Sequence, residues 1–149
     1  LVGSEMCIRD SWETERPFEL AVEGGLISGR ADVILDKHEG KADSLAIVDY
    51  KTKIEGEESA IESRDMGLQL QVYAEAGIRE GLDVQGAFLH DLADAKRVAV
   101  DTGPEARQAA IEKVTIAVDS IKKREFEAKP EKSKCARCDV RAICRAAKK

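Results

Sequence analysis

Five polar side chains stand where the hydrophobic pattern of this chain does not need them. Asp32 lies within a strand-like run, and Asp49 and Lys51 close a second apolar run. Gln69 and Tyr73 lie four residues apart, which places them on one face of a helix. Two carboxylates and a lysine on adjoining elements can hold a divalent cation and promote attack on a phosphodiester.

The spacing indicates how these residues would share one site. On a strand, positions i and i+2 face the same side, so Asp49 and Lys51 are expected to point together. We predict that Asp32 and Asp49 bind Mg²⁺ or Mn²⁺, with the backbone carbonyl of Tyr50 as a third ligand. Lys51 would orient the attacking water or stabilise transition-state charge, and the two helical residues would brace the lysine or bind phosphate. Taken alone, Asp-x-Lys at a strand end is usually a surface ion pair.

The elements that must position these residues follow from the spacing of apolar residues. Strands are predicted at residues 18–23, 26–35, 45–51, 84–89 and 97–100, and helices at 63–80 and from 104 to about 126. Gly24 and Gly25 predict a hairpin, and residues 54–62 a loop or lid. The order predicts an α/β (α+β) fold with a mixed sheet.

Alternation along the predicted elements also predicts which side chains turn inward. In the second strand, one face would carry Ile27, Ala31, Val33 and Leu35, and the other Arg30, Asp32 and Ile34. The inward residues of the first helix would be Met66, Leu70, Tyr73, Ala74 and Ile78. Those of the second helix would be Ala110, Val114, Ala117, Val118 and Ile121.

Length and composition narrow the class of protein. The chain has 149 residues, which suits one domain with its own core. It is 43% hydrophobic and has no apolar run near the ~18 residues of a membrane helix, so we expect a soluble protein with no membrane partner. No secretory signal is visible, which favours the cytoplasm. Aromatic residues make up only 4%, too few for base stacking to dominate nucleic-acid binding.

Charge is distributed unevenly along the chain. The formal net charge is −5, but residues 122–149 carry eleven Lys and Arg against four Asp and Glu. A basic tail on an acidic body can form a local phosphate-facing patch, in which Lys122, Lys123 and Arg124 would take part. A solvated helix end explains these three residues about equally well.

Three cysteines are concentrated near the end of the chain, at Cys135, Cys138 and Cys144. Thiolates at this spacing bind Zn²⁺ or an iron–sulfur cluster. A disulfide is the alternative, although the lack of a secretory signal argues against it. A metal or cluster would also need a fourth ligand, for which Cys7 is the only other cysteine.

The first residues fit none of the elements that follow. The chain begins with Leu1 rather than Met, and residues 1–12 resemble translated adapter sequence, so we expect a non-native leader there. Residues 13–149 would then be the domain, truncated at its N-terminus. His38, His90 and Trp12 are expected to have structural roles rather than catalytic ones.

Three motifs in order resemble those of the PD-(D/E)XK nuclease superfamily, in particular its RecB-like branch. They are Gly-x-x-Asp ending at Asp32, Asp-x-Lys ending at Lys51, and Gln-x-x-x-Tyr from Gln69 to Tyr73. The resemblance covers the chain from about Glu13 onward. It implies a restriction-endonuclease-like fold and Mg²⁺-dependent DNA cleavage, with Asp32 and Asp49 as ligands and Lys51 as catalytic lysine. The family often has a helix with an acidic residue or His before the first strand, and none is visible here.

The cysteine tail at residues 130–149 resembles that of AddB-type nucleases and CRISPR-associated adaptation nucleases. Those proteins hold a [4Fe-4S] cluster with three C-terminal cysteines and one upstream, which implies a cluster on Cys135, Cys138 and Cys144, with Zn²⁺ as the alternative. The resemblance implies an exonuclease module beside a UvrD-like helicase motor, on the same chain or a partner subunit, in DNA repair and recombination. The alternatives are an adaptation nuclease and a catalytically silent DNA-binding or scaffold module.

Overall fold

The apolar runs of the sequence pair into one mixed five-stranded sheet. The computed structural model describes residues 11–36, 44–52 and 60–148. The strands are β1 (Ser11–Val22), β2 (Gly25–Asp36), β3 (Leu45–Lys51), β4 (Val84–Asp91) and β5 (Lys96–Val100). They lie side by side in chain order, and every neighbouring pair is antiparallel except β3 and β4.

The described residues also form three helices beside the sheet: α1 (Ala60–Arg79), α2 (Pro104–Lys122) and the short α3 (Lys132–Ala136). Helix α1 connects β3 to β4, as a parallel strand pair requires a crossover. Gly81 adopts a left-handed φ of 89° just past α1, and Pro104 opens α2. No helix in the described ranges is long and apolar enough to span a membrane.

The predicted fold class, a mixed sheet flanked by helices, is confirmed. The predicted hairpin is also present, with Gly24 at φ 85° between β1 and β2. The predicted start of β1 at residue 18 is wrong, because the polar residues from Ser11 onward pair with β2 through their backbone. Helix α2 ends at Lys122 rather than near residue 126, because Arg124 adopts a left-handed φ of 56°. Residues 60–62 belong to α1, whereas 53–59 lie outside the described ranges.

Helix α1 is buried on two sides, although the sequence predicted a single inward face. Leu70 and Ala74 pack against the sheet, while Val72 and Ala76 pack against β1 and α2. All four side chains are buried, and Tyr73 lies between the two clusters and contacts both. The helix is therefore the central layer of the domain rather than a surface layer.

Helix α2 contacts the core mainly through its first half. Ala110 is buried, and Ile111 and Val114 pack beside it against the second cluster. The prediction that Ile121 turns inward is wrong, since this side chain is 61% exposed. Ala117 is exposed as well, because the helix continues beyond the cluster that its first turns cover.

One carboxylate ties α1 to its neighbours. Glu75 accepts hydrogen bonds from the guanidinium groups of Arg79 at 2.8 Å and Arg107 at 3.0 Å. Arg107 also donates to the carbonyl of Thr102, and Arg79 donates to the carbonyl of Ala21. Glu75 thus links α1 with the start of α2 and with the end of β1.

We expect Glu75→Gln to lower the free energy of unfolding by about 1–2 kcal/mol, since a neutral amide cannot pair with both the half-buried guanidinium of Arg107 and the exposed one of Arg79. The measurement is urea unfolding followed by circular dichroism. Asp119→Asn is the matched control, because its exposed pair with Lys123 also joins residues four apart on a helix. Equal unfolding midpoints for the parent and Glu75→Gln would show that the carboxylate links add nothing.

Candidate active site

Asp32 interrupts the backbone pairing of β2 on both sides. The β1–β2 register runs through Thr14 with Val33 and Arg16 with Ala31, and it omits Glu15 and Asp32. Glu15 has a positive φ of 51°, which marks a local irregularity in β1. On the other side of β2, the ladder with β3 begins at Val33, one residue after Asp32, where Val33 lies opposite Val48.

This interruption changes the face to which the side chains of β2 point. Ala31 and Ile34, three residues apart, are both buried in the cluster against α1. The prediction that they lie on opposite faces is therefore wrong, because strict alternation does not continue through an irregular residue. Continuing the β2–β3 register places Asp32 opposite Asp49, whose neighbour Tyr50 donates its backbone N–H to Asp32 Oδ2 at 3.1 Å.

Asp49 and Lys51 form the centre of the site. Asp49 is only 2% exposed, whereas the lysine side chain is 29% exposed. The Lys51 ammonium lies 2.6 Å from Asp49 Oδ2, so the two charges are in contact. No donor in the described part of the chain meets that oxygen with hydrogen-bond geometry. The contact is therefore a close ion pair in which the ammonium satisfies the buried carboxylate only in part.

The surroundings of Asp49 raise the pKa of its carboxyl group above the ordinary value of 3.8. Burial is the largest cause, and the neighbouring Asp32 adds to it by repulsion and by hydrogen bonding. Lys51 acts in the opposite direction and favours the carboxylate. An ionised Asp49 is therefore held against a desolvation cost that the lysine offsets only in part.

These residues fit a divalent cation. A buried, poorly satisfied carboxylate oxygen beside a second carboxylate is the donor set that Mg²⁺ or Mn²⁺ takes in proteins. Within the described ranges no three His, Cys, Asp or Glu side chains group closely enough to hold a metal. Mg²⁺ needs only one or two carboxylates, since it keeps several waters. Asp32, Asp49 and the carbonyl of Tyr50 remain the predicted ligands.

Gln69 and Tyr73 meet on α1. The Gln69 amide Nε2 donates a hydrogen bond of 2.6 Å to the Tyr73 hydroxyl. In the described part of the protein, no hydrogen bond or ion pair joins this pair to Asp49 or Lys51. Tyr73 is instead connected to the site through the core, where it packs against the cluster that contains Ile47.

Asp91 is a buried carboxylate that the sequence analysis missed. It ends β4 directly beside Lys51 in the parallel register, and it is 3% exposed. Its Oδ1 accepts the backbone N–H groups of Ala93 and Asp94, so it shapes the turn into β5. The signal was available, because an acidic residue ends the apolar run of β4 much as Asp49 does in β3.

The three tail cysteines do not form a closed group. Cys135 is buried in α3, and its sulfur accepts the backbone N–H of Lys148 at 3.4 Å. Cys138 and Cys144 are exposed, and all three are free thiols. Cys7 lies outside the described residues, as do His38 and the rest of the predicted leader up to residue 10.

His90 lies on the other face of the sheet from Asp49. Its ring meets Tyr50 edge-on with centroids 5.4 Å apart, and its Nδ1 accepts a hydrogen bond from Arg97. These contacts agree with the structural role expected for this histidine. Trp12 falls within β1, and its side chain lies outside the described part of the structure.

Comparison with known proteins gives the relationship of the whole chain. The family model of the PD-(D/E)XK nuclease superfamily matches residues 6–145. Among solved structures, SSO0001 is similar at TM-score 0.53 and 19% identity over 99% of this chain and 67% of its own. An exonuclease candidate from Eubacterium rectale is similar at TM-score 0.56 and 16% identity over 97% of this chain and 57% of its own. These two likenesses show the shared fold, and no curated protein matches significantly.

We expect Asp49→Asn to raise the stability of the metal-free protein at neutral pH. Because the folded pKa of Asp49 is raised, its contribution to stability is complete below about pH 3.8 and is lost as pH rises through the folded pKa. The asparagine variant avoids that loss, so its advantage over the parent should grow as pH rises through the folded pKa.

The measurement is thermal unfolding in chelator across the pH range from about 3 to 8, which begins below the ordinary pKa of 3.8 and therefore covers the interval in which the loss occurs. Asp83→Asn, which removes a carboxylate outside the site, is the matched control. An advantage for Asp49→Asn that stays constant with pH would contradict the raised pKa.

Proposed function

Because the chain belongs to the PD-(D/E)XK nuclease superfamily, we propose that it is a deoxyribonuclease that depends on Mg²⁺ or Mn²⁺. The observation that carries this proposal is Asp49. A buried carboxylate with a poorly satisfied oxygen, paired with a lysine and facing a second carboxylate, destabilises the fold unless a cation uses it. An arrangement with that cost is typical of a functional site.

Each residue of the site has a distinct task in phosphodiester hydrolysis. Asp32 and Asp49 would hold the cation, with the Tyr50 carbonyl as a further oxygen ligand. When bound, a divalent cation lowers the pKa of water and neutralises charge that builds on the phosphoryl oxygens. The Tyr50 N–H donates to Asp32 Oδ2 and thereby fixes the position of that carboxylate beside Asp49.

Lys51 is placed to act on the reacting phosphate. Its ammonium is held by Asp49 on one side, and the side chain keeps enough exposure to reach solvent. It would donate a hydrogen bond to the attacking water or to a phosphoryl oxygen in the transition state. Gln69 and Tyr73 would bind the DNA backbone or support the lysine once substrate is present.

The cellular setting follows from the resemblance of the motifs and the tail. We infer an exonuclease module that acts with a helicase motor, on the same chain or on a partner subunit, in DNA repair and recombination. The basic segment from residue 122 onward supports contact with DNA, because the rest of the chain is strongly acidic. A CRISPR-associated adaptation nuclease is the second candidate, and the tail cysteines favour it equally.

A catalytically silent DNA-binding or scaffold module is the alternative from another class. It would have no use for an ionised Asp49 buried against Asp32, because neutral residues there would make the domain more stable. The presence of Asp32, Asp49 and Lys51 together therefore favours the enzyme.

We further propose that Cys135, Cys138 and Cys144 bind a [4Fe-4S] cluster, with Zn²⁺ as the alternative. All three are free thiols within ten residues, and two of them are exposed and able to reach a metal. Binding would require the tail to close around the metal, since the thiols form no metal-holding group among the described residues. The closed tail would have a structural role rather than a redox one.

We expect the full chain to cut linear single- or double-stranded DNA with Mg²⁺ and to stop in chelator. Lys51→Ala and Asp49→Ala should each lower the rate by at least about 10²-fold, since they remove charge at the reacting phosphate. Lys113→Ala and Asp119→Ala, at exposed positions on α2, are the matched controls and should keep the parent rate. If the two site variants cut as fast as these controls, the site assignment is wrong.

Metal analysis after anaerobic purification tests the tail. We expect iron and acid-labile sulfide in near-equal amounts, and loss of both in Cys138→Ser and in Cys144→Ser. Ser133→Ala, a change at an exposed position of the same tail that leaves every cysteine in place, is the control and should keep the parent's iron content. If the parent contains zinc but no sulfide, the tail binds zinc rather than an iron–sulfur cluster.

A further inference from the structure

The Gly-x-x-Asp motif contains a glycine whose role the metal site does not explain. Gly29 lies in the middle of β2, directly opposite Phe18 of β1. The positive-φ glycines of the described chain are Gly24 and Gly81, so the backbone at position 29 suits any residue. The requirement for glycine must therefore come from space rather than from conformation.

The space over Gly29 is filled by the ring of Phe18. A methyl group at position 29 would lie 2.6 Å from Phe18 Cε1 and 2.7 Å from Cζ, far inside contact distance. The ring is 8% exposed, so it has little freedom to move outward. Glycine lets the phenylalanine lie flat across the strand pair, a known way of packing an aromatic ring against a glycine in a sheet.

The Phe18 ring also packs against the ring of Tyr73. The Phe18 and Tyr73 rings meet edge-to-face, with centroids 4.8 Å apart and planes inclined by 63°. The hydroxyl of Tyr73 accepts the hydrogen bond from Gln69. A continuous set of contacts therefore runs from Gly29 through Phe18 and Tyr73 to Gln69.

We propose that Gly29 and Phe18 are positioning residues of the nuclease site, which set the height of Tyr73 and thereby the direction of the Gln69 amide. This inference rests on the proposed function. Gly29 lies three residues before Asp32 on the same strand, so the strand that carries one carboxylate also carries the support for the helical pair. The packing of Phe18 on Gly29 thus fixes the position of the substrate-binding residues of α1 relative to the metal ligand on β2.

A comparison of Gly29→Ala with Gly25→Ala distinguishes this positioning role from a general loss of packing. Gly25 lies on the same strand, and a methyl group there would come within 2.9 Å of Val118 Cγ1. Both substitutions crowd a neighbouring side chain, but only the first crowds the ring beneath Tyr73. A purely structural role predicts similar effects for the two variants.

The direct readout is the fluorine resonance of Tyr73. The chain has two tyrosines, so 3-fluorotyrosine in a Tyr50→Phe background reports on Tyr73 alone. We expect Gly29→Ala to move this resonance and Gly25→Ala to leave it in place. An unmoved resonance in Gly29→Ala, or an equal movement in Gly25→Ala, would overturn the proposal.

Activity on linear DNA with Mg²⁺, measured in the parent background, is the second readout. We expect Gly29→Ala to lose at least about tenfold in kcat, since misplacement by about 1 Å can cost about 10²-fold. Gly25→Ala should keep kcat within about twofold at the same assay temperature. If the parent itself cuts no DNA, the proposed function fails while the fluorine measurement still decides whether Gly29 positions Tyr73.

A second substitution tests whether Phe18 is the intermediary. Leucine at position 18 lacks the ring atoms that a methyl group at position 29 would strike. Gly29→Ala combined with Phe18→Leu should therefore lose less stability than the sum of the two single changes, while the Tyr73 resonance stays displaced. Strict additivity of the two losses would remove Phe18 from the mechanism.

Discussion

The structure is organised around the burial of one carboxylate, Asp49. An ionised group in the middle of a sheet is stable only if neighbouring elements supply opposite charge or hydrogen bonds. Lys51 supplies charge two residues later on the same strand, and Asp32 faces Asp49 where the β2–β3 ladder stops. The site therefore requires the irregularity of β2. In a regular ladder the backbone N–H of Tyr50 would pair with the backbone of β2, whereas here it donates to the Asp32 carboxylate.

Helix α1 connects this strand edge to the rest of the domain. Its two buried sides place it between the sheet and α2, and Glu75 fixes it to the start of α2 and the end of β1. A helix held in this way cannot rotate without losing contacts on both sides. Tyr73 lies at the boundary of the two clusters, so the position of its hydroxyl follows from the packing of both.

Much of this architecture could be predicted from the sequence, for physical reasons that differ between elements. Strand β3 was predicted with its observed ends, because a continuous apolar run closed by charges has few other interpretations. The start of β1 could not be predicted, since its first residues are polar and pair only through the backbone. The faces of β2 were misassigned, because a local irregularity at Asp32 leaves no hydrophobic pattern.

The candidate site was predictable to a similar degree. Residue types and order indicated Asp32, Asp49 and Lys51, and the three charges lie together in the structure. Asp91 was missed because a single acidic residue at a strand end has many structural uses. The need for glycine at position 29 was invisible as well, since a sequence records spacing but not the ring that lies across the strand.

Charge links the site to the tail under the proposed function. Residues 1–121 carry a large acidic excess, so the body of the domain repels a phosphate backbone at long range. A bound cation would reverse the sign of the local charge at Asp32 and Asp49. The basic residues from Lys122 onward would attract the phosphate backbone over a wider area. Most side chains of that tail are exposed, and its three cysteines are free thiols. A metal on the cysteines would therefore act on DNA binding through geometry, because it would fix where the positive charge lies.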